Sequence, residues 1–249
     1  MADEDKTRCG FIALIGAPNA GKSTLLNQLV GAKVSIVSRK VQTTRTQVRG
    51  IALSGAAQVI FVDTPGIFAP KRRLDRAMVT SAWGGATDAD LIGVLVDVER
   101  FDNEENTRLL EKLAELKQPK FLILNKIDLV AKEKLLQITT QVNEQGRFEA
   151  TFMIAALTGY GVKDILTWLE KRLPLGPWLY PEDQISDAPL RFLAAEITRE
   201  KIFERLHDEL PYRSTVETES WQQRPDGSVR IEQTIYVERE GQRLSLIHI

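Results

Sequence analysis

One loop limits the folds available to this chain more than any other segment. It reads GAPNAGKS at positions 16–23, after an apolar run at residues 11–15 and before residues 24–30, which have the composition of a helix. The apolar run is typical of a buried strand. In a G-x-x-x-x-G-K-S loop, the glycines let backbone N–H groups close around phosphate oxygens at the N-terminus of the helix. The succession of strand, loop and helix therefore predicts a nucleotide site.

The last side chains of this loop have predicted roles of their own. Lys22 is expected to reach the β and γ phosphates, and the Ser23 hydroxyl is expected to be a ligand of Mg²⁺. The alternative interpretation is an ordinary glycine-rich turn before a helix. We expect the nucleotide to contact the loop and the first helical residues: Gly16, Ala17, Pro18, Asn19, Ala20, Gly21, Lys22, Ser23 and Thr24.

Apolar runs alternate with amphipathic stretches from residue 11 to about residue 172. The predicted strands are residues 11–15, 48–53, 59–62, 91–96, 121–124 and 151–154, and the predicted helices are residues 22–30, 75–86, 104–116, 132–145 and 162–173. Short, unalternated strands rich in Val, Ile, Leu and Phe are typical of strands buried on both faces. The pattern predicts an α/β fold, a P-loop G domain whose mainly parallel sheet carries helices on both faces. Ligands of such sheets bind at the carboxyl ends of the strands.

A second motif, DTPG at residues 63–66, follows the predicted strand of residues 59–62. Asp63 at the tip of that strand can hold Mg²⁺ through water, and Gly66 allows its N–H to approach the γ-phosphate closely. Thr64 and Pro65 complete the predicted nucleotide contacts of this loop. An acidic turn is the alternative when the motif is taken alone. Its position after the phosphate loop favours the nucleotide site.

A third motif, NKID at residues 125–128, indicates which base is bound. The carboxylate of Asp128 can accept both the N1–H and the exocyclic amine of guanine, a donor pair that adenine lacks. Asn125 can hold the loop or the base edge, and the stem of Lys126 can lie along the purine face. A strand-end loop with a helix-capping aspartate is the alternative, and it fits less well at this place in the order of motifs.

The polar segment VQTTR at residues 41–45 lies between the first predicted helix and the second predicted strand. A threonine hydroxyl in this segment could complete the Mg²⁺ shell when the γ-phosphate is present. Its release after hydrolysis would make the segment a switch. We favour Thr44 over Thr43 for this role, so the predicted metal ligands are Ser23, Thr44 and Asp63.

The composition adds limits without naming a function. The net charge is -1 with 43% hydrophobic residues, which is typical of a globular protein and gives no whole-chain argument for nucleic acid. A single cysteine, Cys9, excludes an internal disulfide framework and fits a reducing compartment. Since no run reaches transmembrane length, we expect a soluble, cytoplasmic protein, and peripheral contact with a membrane stays open.

The alternation of predicted strands and helices ends at residue 173. We predict a G domain at residues 8–173 and a proline-rich linker at residues 174–189. Beyond it, residues 190–210 are predicted to be helical, and residues 214–222 and 228–240 form two alternating strands joined by a Pro-Asp-Gly turn. Apolar residues on one face of the second strand are expected to need a cover.

These motifs resemble the TrmE-Era-EngA-like GTPases, and among them the Era family of bacterial ribosome-assembly GTPases. The resemblance rests on GAPNAGKS, on SRKVQTTR at residues 38–45, on DTPG and on NKID. It continues beyond the G domain into LPY at residues 210–212, into residues 214–219 and into IYVEREGQ at residues 235–242, and covers roughly residues 10–243. The extension separates this family from its relatives.

The resemblance implies that the chain binds GTP and GDP, hydrolyses GTP slowly with Mg²⁺, and acts in maturation of the 30S subunit. A KH domain would recognise the 3′ region of 16S rRNA, and contact with the inner membrane would be peripheral. It also implies that Lys22, Thr44 and Gly66 serve the catalysis, that Asn19 helps to hold a K⁺ ion, and that the base touches Ala155, Ala156 and Leu157, where related GTPases have a Ser-Ala loop.

Two further features of the sequence bear on function. Ile67 stands directly after DTPG, where many GTPases have a water-orienting glutamine, so intrinsic turnover should be slow. No G-x-x-G loop follows the second strand, so residues 190–243 are predicted to be a partial, type II KH-like domain and residues 244–249 an unrelated tail, as expected for a truncated family member. The alternative functions are a GTP-responsive binding module uncoupled from RNA, and a related GTPase of tRNA modification or membrane transport.

Overall fold

A computed structural model of the chain describes residues 7–40, 43–68, 70, 73–207, 210–240 and 242. Contacts divide the chain into two compact units. The first contains the residues up to Ser35 together with Thr44–Asp187, and the second contains Ile36–Thr43 and the residues from Ala188 onward. The predicted division at residues 173, 189 and 243 stays a prediction.

The first unit is built on a six-stranded sheet. Its strands are β1 (Arg8–Gly16), β2 (Val48–Ser54), β3 (Ala57–Asp63), β4 (Leu91–Asp97), β5 (Lys120–Asn125) and β6 (Thr151–Ile154). The order across the sheet is β2-β3-β1-β4-β5-β6, and every neighbouring pair is parallel except β2 and β3. Every residue of β3 and β4 is buried, which explains the apolar runs at residues 59–62 and 91–96.

Five helices accompany this sheet. They are α1 (Lys22–Val30), α2 (Arg73–Asp88), α3 (Glu104–Ala114), α4 (Lys132–Gln145) and α5 (Val162–Glu170). Buried residues of α2, α3 and α4 form one cluster with alternate residues of β1, β4 and β5, including Ala13, Ile15, Ile92, Val94, Leu109, Leu113, Ile138 and Val142. Helices α1 and α5 contact each other. Both contact β2 and β3, and α5 also contacts β6. The predicted α/β class is confirmed.

Differences from the predicted boundaries are concentrated at the ends of elements. β1 begins at Arg8 rather than at residue 11, because parallel pairing with β3 extends to Arg8 and Ala57. α5 ends at Glu170 rather than at residue 173, because its last turn tightens, with Lys171 N–H donating to the carbonyl of Trp168 at 3.3 Å. Helix periodicity in the sequence does not distinguish a final α-helical turn from such a tightened one.

The proline-rich segment after residue 173 forms no helix or strand, as expected, but it lies against the sheet of the first unit. Gln58, completely buried, donates to the carbonyl of Tyr180 at 2.8 Å and accepts the Leu179 N–H at 2.9 Å. The indole N–H of Trp178 donates to the carbonyl of Ala56 at 3.1 Å. Further along, Ile51 N–H donates to the Ile185 carbonyl at 2.9 Å and Arg49 pairs with Asp187, so the first unit extends to Asp187.

The second unit contains α6 (Leu190–Arg205), a short 3₁₀ turn (Leu210–Arg213) and the antiparallel strands β7 (Ser214–Gln223) and β8 (Val229–Val237). The helix ends at Arg205 rather than at the predicted residue 210, since Leu206 is already extended. Ala195, Ile202, Leu206 and Val216 form its small core.

Two further features of the second unit bear on the expectations. Val229, Ile231 and Ile235 on β8 remain 41%, 40% and 39% exposed, so the apolar face that was expected to need a cover is partly open in the described residues. Segment Ile36–Thr43 is held by α6, where Glu200 accepts the Val37 N–H at 2.9 Å and Arg199 donates to the carbonyl of Thr43. The predicted tail at residues 244–249 lies outside the described residues.

Among the described residues, no helix is both long enough and apolar enough to span a membrane.

Candidate nucleotide-binding site

The glycine-rich loop at residues 16–23 joins the carboxyl end of β1 to the N-terminus of α1, as predicted. Gly21 has φ +100°, and a Cβ built on it would lie 2.3 Å from Nδ2 of Asn125. Gly16 is equally restricted, because its Cβ would lie 2.5 Å from the carbonyl oxygen of Leu95. Asn19 has φ +61°, a left-handed conformation that costs energy in a residue other than glycine. The loop therefore requires glycine at the two positions that the motif fixes.

Lys22 is held inside this loop. Its ammonium donates to the carbonyls of Gly16 at 3.0 Å and Ala17 at 2.9 Å, and the residue is only 6% exposed. Burial lowers the pKa of Lys22 to about 8, although the nearby Asp63 carboxylate acts in the opposite direction. The ammonium thus lies beside the predicted phosphate position at the start of α1. The surrounding protein groups compensate the free-energy cost of burying its charge only in part.

Three hydroxyl groups converge on one carboxylate oxygen at the end of β3. Oδ2 of Asp63 accepts from Ser23 Oγ at 2.6 Å, from Ser35 Oγ at 2.9 Å and from Thr44 Oγ1 at 3.4 Å. The hydroxyls of Ser23 and Thr44 are also within 3.0 Å of each other. The three residues predicted as metal ligands, Ser23, Thr44 and Asp63, are therefore brought together.

The second oxygen of Asp63 identifies what this cluster can hold. Asp63 is completely buried, and its Oδ1 has no hydrogen-bond partner among the described residues. Burial raises the pKa of Asp63, opposed by the Ser23 hydroxyl and the Lys22 charge. Hard oxygen donors with one carboxylate suit Mg²⁺, which keeps several waters and takes further ligands from substrate phosphates. No cluster of three or more His, Cys, Asp or Glu side chains suited to a metal occurs in the described ranges.

Thr44, rather than Thr43, reaches this cluster. The Thr43 hydroxyl instead donates to the carbonyl of Lys40 at 2.9 Å. Val41 and Gln42, which belong to the same predicted segment, lie outside the described residues.

Ser35 is a member of the cluster that the sequence analysis missed. It is placed by Asn27 of α1, whose Oδ1 accepts the N–H groups of Val34 and Ser35, each at 2.9 Å, and whose Nδ2 donates to the Ser35 carbonyl at 2.8 Å. No motif surrounds Ser35, and its only sequence signal is a hydroxyl residue in the loop after α1.

The DTPG loop passes close to the glycine-rich loop. A Cβ on Gly66 would lie 2.9 Å from both N and Cα of Pro18, so only glycine fits there. The Thr64 hydroxyl donates to the Leu14 carbonyl at 2.8 Å, and Ile67 N–H donates to the Gly16 carbonyl at 3.1 Å. Pro65 and Gly66 are buried, and the Ile67 side chain belongs to the buried apolar cluster of the first unit.

Asn125 connects three loops at the carboxyl end of β5. Its Nδ2 donates to the Ala20 carbonyl at 2.8 Å, and its Oδ1 accepts the Ala156 N–H at 3.0 Å. Asn125 is 2% exposed and Ala156 is 2% exposed, so both bonds are shielded from water. Of the two roles left open for Asn125, these contacts favour holding the loops.

The remaining residues predicted to touch the base follow β5 and β6. Lys126 has φ +65° and forms an ion pair with Asp97, while the Asp128 side chain is exposed. After β6, Ala155 N–H donates to the Tyr160 carbonyl at 3.1 Å, which folds the loop back, and Leu157 remains 81% exposed. The two loops are linked through Asn125, so the predicted base contacts lie at one edge of the sheet.

A glycine-rich loop at a helix N-terminus, a hydroxyl-carboxylate cluster for Mg²⁺ and an NKID loop beside them together define a P-loop GTPase. Comparisons with known proteins give the same class. The family described as 50S ribosome-binding GTPase matches residues 11–126. The GTPase Era of Rhizobium meliloti is 65% identical over 237 residues, which are 95% of this chain and 76% of that protein. The GTPase Era of Mesorhizobium japonicum is 63% identical over 242 residues, 97% of this chain and 78% of that protein.

Solved structures agree along nearly the whole chain. An Era variant of Aquifex aeolicus bound to GDP·AlF4⁻ matches with a TM-score of 0.91 and 34% identity, over 97% of this chain and 83% of the other. Era in complex with MgGDPNP and nucleotides 1506–1542 of 16S ribosomal RNA matches with the same TM-score and identity, over 97% and 82%. The chain belongs to the Era family of GTPases. It is an enzyme that hydrolyses GTP.

Proposed function

We propose that the chain is a GTP-dependent switch in the maturation of the small ribosomal subunit, acting on 16S rRNA. The observation that carries the proposal is the meeting of Thr44, Ser23 and Asp63, because it joins a loop outside the phosphate site to the predicted metal position. A loop that is held only while a metal and a γ-phosphate are present is the usual form of a GTPase switch. The Era relative solved with MgGDPNP and a segment of 16S rRNA supports the RNA target.

The phosphate end of the site would be served by five residues. Lys22 supplies positive charge at the β and γ phosphates, and the Gly66 N–H donates to the γ-phosphate. Ser23 and Thr44 would bind Mg²⁺ directly, and Asp63 would bind it through water. Bound by these residues, Mg²⁺ would offset the charge that develops on the phosphate oxygens. The protein residues thus orient the phosphates and hold their charge, while the chemistry remains between water and GTP.

The base end would select guanine through Asp128. Its exposed carboxylate can accept from N1–H and from the exocyclic amine of guanine, and adenine would leave that charge without donors. The stem of Lys126 would lie along the purine, and the backbone of Ala155, Ala156 and Leu157 would face the base edge. Asn125 would keep these loops in register with the phosphate loop through its two buried bonds.

Intrinsic hydrolysis should be slow, since the buried Ile67 cannot orient water. A further activating charge worth about 10³–10⁵ in rate would have to be added. We propose that Asn19 helps to hold K⁺ in that role, and its left-handed backbone at φ +61° presents the side chain from the loop itself. Turnover in K⁺ buffer should then exceed turnover in Na⁺ buffer at equal ionic strength, and an Asn19→Ala variant should lose the difference. Equal rates in both buffers would refute the role.

Residues 190–243 would contribute a KH-like surface to RNA binding. Helix α6 and the β7–β8 pair supply the described part of it. We place the protein in the cytoplasm with peripheral contact to the inner membrane, on the family resemblance, and cell fractionation tests this placement.

The test of the proposal is GTP hydrolysis and RNA binding measured on one preparation. Hydrolysis is followed with Mg²⁺ and K⁺, with and without RNA carrying the 3′ end of 16S rRNA, and RNA binding is followed by electrophoretic mobility. RNA binding that requires a GTP analogue, and stimulation of turnover, are expected. Hydrolysis without either effect would favour the binding module uncoupled from RNA, and preference for a tRNA would favour a GTPase of tRNA modification.

A further inference from the structure

Asp97 lies beside the base-binding loop, although no motif includes it. It is the last residue of β4, and in the sheet it pairs in register with Asn125, the last residue of β5. The chain leaves β5 through Lys126, whose φ of +65° turns it out of the strand direction. This geometry brings the Lys126 ammonium to the Asp97 carboxylate.

Both oxygens of Asp97 have a defined partner. Oδ1 accepts the Glu99 N–H at 3.0 Å and so caps the short 3₁₀ turn after β4 (Val98–Arg100), while Oδ2 pairs with Nζ of Lys126. The Asp97 side chain is 7% exposed and the Lys126 side chain is 30% exposed. The carboxylate is therefore fixed and shielded, and the lysine stem keeps an open side on which a flat ring can lie.

A lysine stem has four rotatable bonds and, at the surface, samples many rotamers. A stem that must lie along a purine loses this freedom on binding unless another group has already ordered it. A shielded carboxylate that holds the ammonium does this, because a charge-assisted hydrogen bond is strongest where water is excluded. Here the ordering group comes from the neighbouring strand.

We propose that Asp97 is a positioning residue for guanine-nucleotide binding, which preorders Lys126 so that its stem meets the purine face. The proposal rests on the role of Lys126 given under Proposed function. Asp97 acts on the base and not on the phosphates, so it sets the affinity for GTP and GDP alike. The rate of hydrolysis at saturation is set at the other end of the site, by Lys22, Thr44 and the metal.

The test is the Asp97→Asn variant, because Asn keeps the Oδ1 acceptor of the Glu99 N–H and replaces Oδ2, the acceptor of the Lys126 ammonium, by an uncharged NH2 group that cannot accept. The Kd for GDP and the Kd for a non-hydrolysable GTP analogue should both rise about tenfold, because the nucleotide must then order the Lys126 stem itself. The kcat at saturating GTP should stay within about twofold of the parent value, since no phosphate contact has changed. Asp187→Asn, which breaks the more exposed ion pair with Arg49, is the matched control and should change neither quantity.

Two further variants separate the possible outcomes. In a Lys126→Ala background, Asp97→Asn should add nothing, because the side chain through which it acts is gone. Asp97→Glu keeps a carboxylate and should retain most of the parent affinity, so it also answers the question if Asp97→Asn fails to fold. If Lys126→Ala alone leaves nucleotide affinity unchanged, the assigned role of Lys126 is wrong. If Lys126→Ala weakens binding while Asp97→Asn does not, or if the two losses add, the role of Asp97 is wrong.

Discussion

Removal of the Asn125 side chain gives the sharpest test of how the nucleotide site is held together. In Asn125→Ala, the Ala20 carbonyl loses its donor at 2.8 Å and the Ala156 N–H loses its acceptor at 3.0 Å. Both groups lie in buried surroundings, and an unsatisfied buried backbone group costs about 1–3 kcal/mol. The substitution should therefore cost about 2–6 kcal/mol in total.

This cost can appear in two measurable quantities. If the three loops stay together, the free energy of unfolding falls by that amount. If the loops separate and water reaches the two backbone groups, the free energy of unfolding stays close to that of the parent. Nucleotide binding must then bring the loops together again, and the same free-energy cost appears as weaker binding. The loss of unfolding free energy and the loss of binding free energy, taken together, should thus amount to about 2–6 kcal/mol.

The assay combines denaturant unfolding of the nucleotide-free protein with equilibrium binding of GDP. Asn143→Ala is a matched control, because Asn143 also makes two side-chain bonds, to the Thr139 carbonyl at 2.8 Å and from the Thr151 hydroxyl at 3.0 Å, but lies on α4 outside the site. It should lower stability alone and leave the Kd for GDP unchanged. A combined loss below about 1 kcal/mol for Asn125→Ala would refute the reasoning, because it would place both groups in water in the parent.

Three further predictions concern the other parts of the site. Thr44→Ala should lower the rate constant of GTP hydrolysis, measured in a single-turnover assay with Mg²⁺, about tenfold or more and leave the Kd for GDP unchanged. Thr43→Ala should change neither quantity, and equal effects of the two variants would contradict the assignment. Asp128→Asn should move preference from guanine toward xanthine, whose C2 carbonyl can accept from the new amide, and competition between GDP and XDP measures this. Because the pKa of Lys22 is about 8 in the free protein and bound phosphate favours its charged form, nucleotide binding takes up a proton above pH 8; GDP affinity should be constant below about pH 7 and fall above pH 8, by up to tenfold per pH unit, in titrations from pH 6.5 to 9.5.

The first unit was predictable from sequence because its signals are local. Strands buried on both faces read as apolar runs, and each of the three motifs stands at the end of such a run, so finding the strands also placed the motifs at one edge of the sheet. The choice of Thr44 over Thr43 agrees with the geometry, in which only Thr44 reaches Asp63, although its role in catalysis stays a prediction.

What could not be predicted depends on contacts between distant segments. Ser35 reaches the carboxylate of Asp63 because Asn27 holds its backbone, and neither residue belongs to a motif. Asp97 offered a weak signal, an acidic residue directly after a predicted strand, but its partner Lys126 follows a different strand. The proline-rich segment after residue 173 carries no periodicity, so its hydrogen bonds with the buried Gln58 could not be inferred from composition.

The phosphate end of the site buries two opposite charges, those of Lys22 and Asp63, and burial has a free-energy cost for both. Burial lowers the pKa of Lys22 and raises the pKa of Asp63, so in each case it favours the neutral form. Backbone carbonyls and hydroxyl groups offset this cost only in part, since Oδ1 of Asp63 has no partner among the described residues. A nucleotide phosphate with Mg²⁺ supplies an anion for the lysine and a cation for the aspartate together, which removes both costs at once. The free energy of binding therefore includes the compensation of two buried charges, that of Lys22 on α1 and that of Asp63 on β3. Nucleotide and metal should accordingly stabilise the first unit more when both are added than the sum of each alone, because either one by itself leaves the other charge uncompensated.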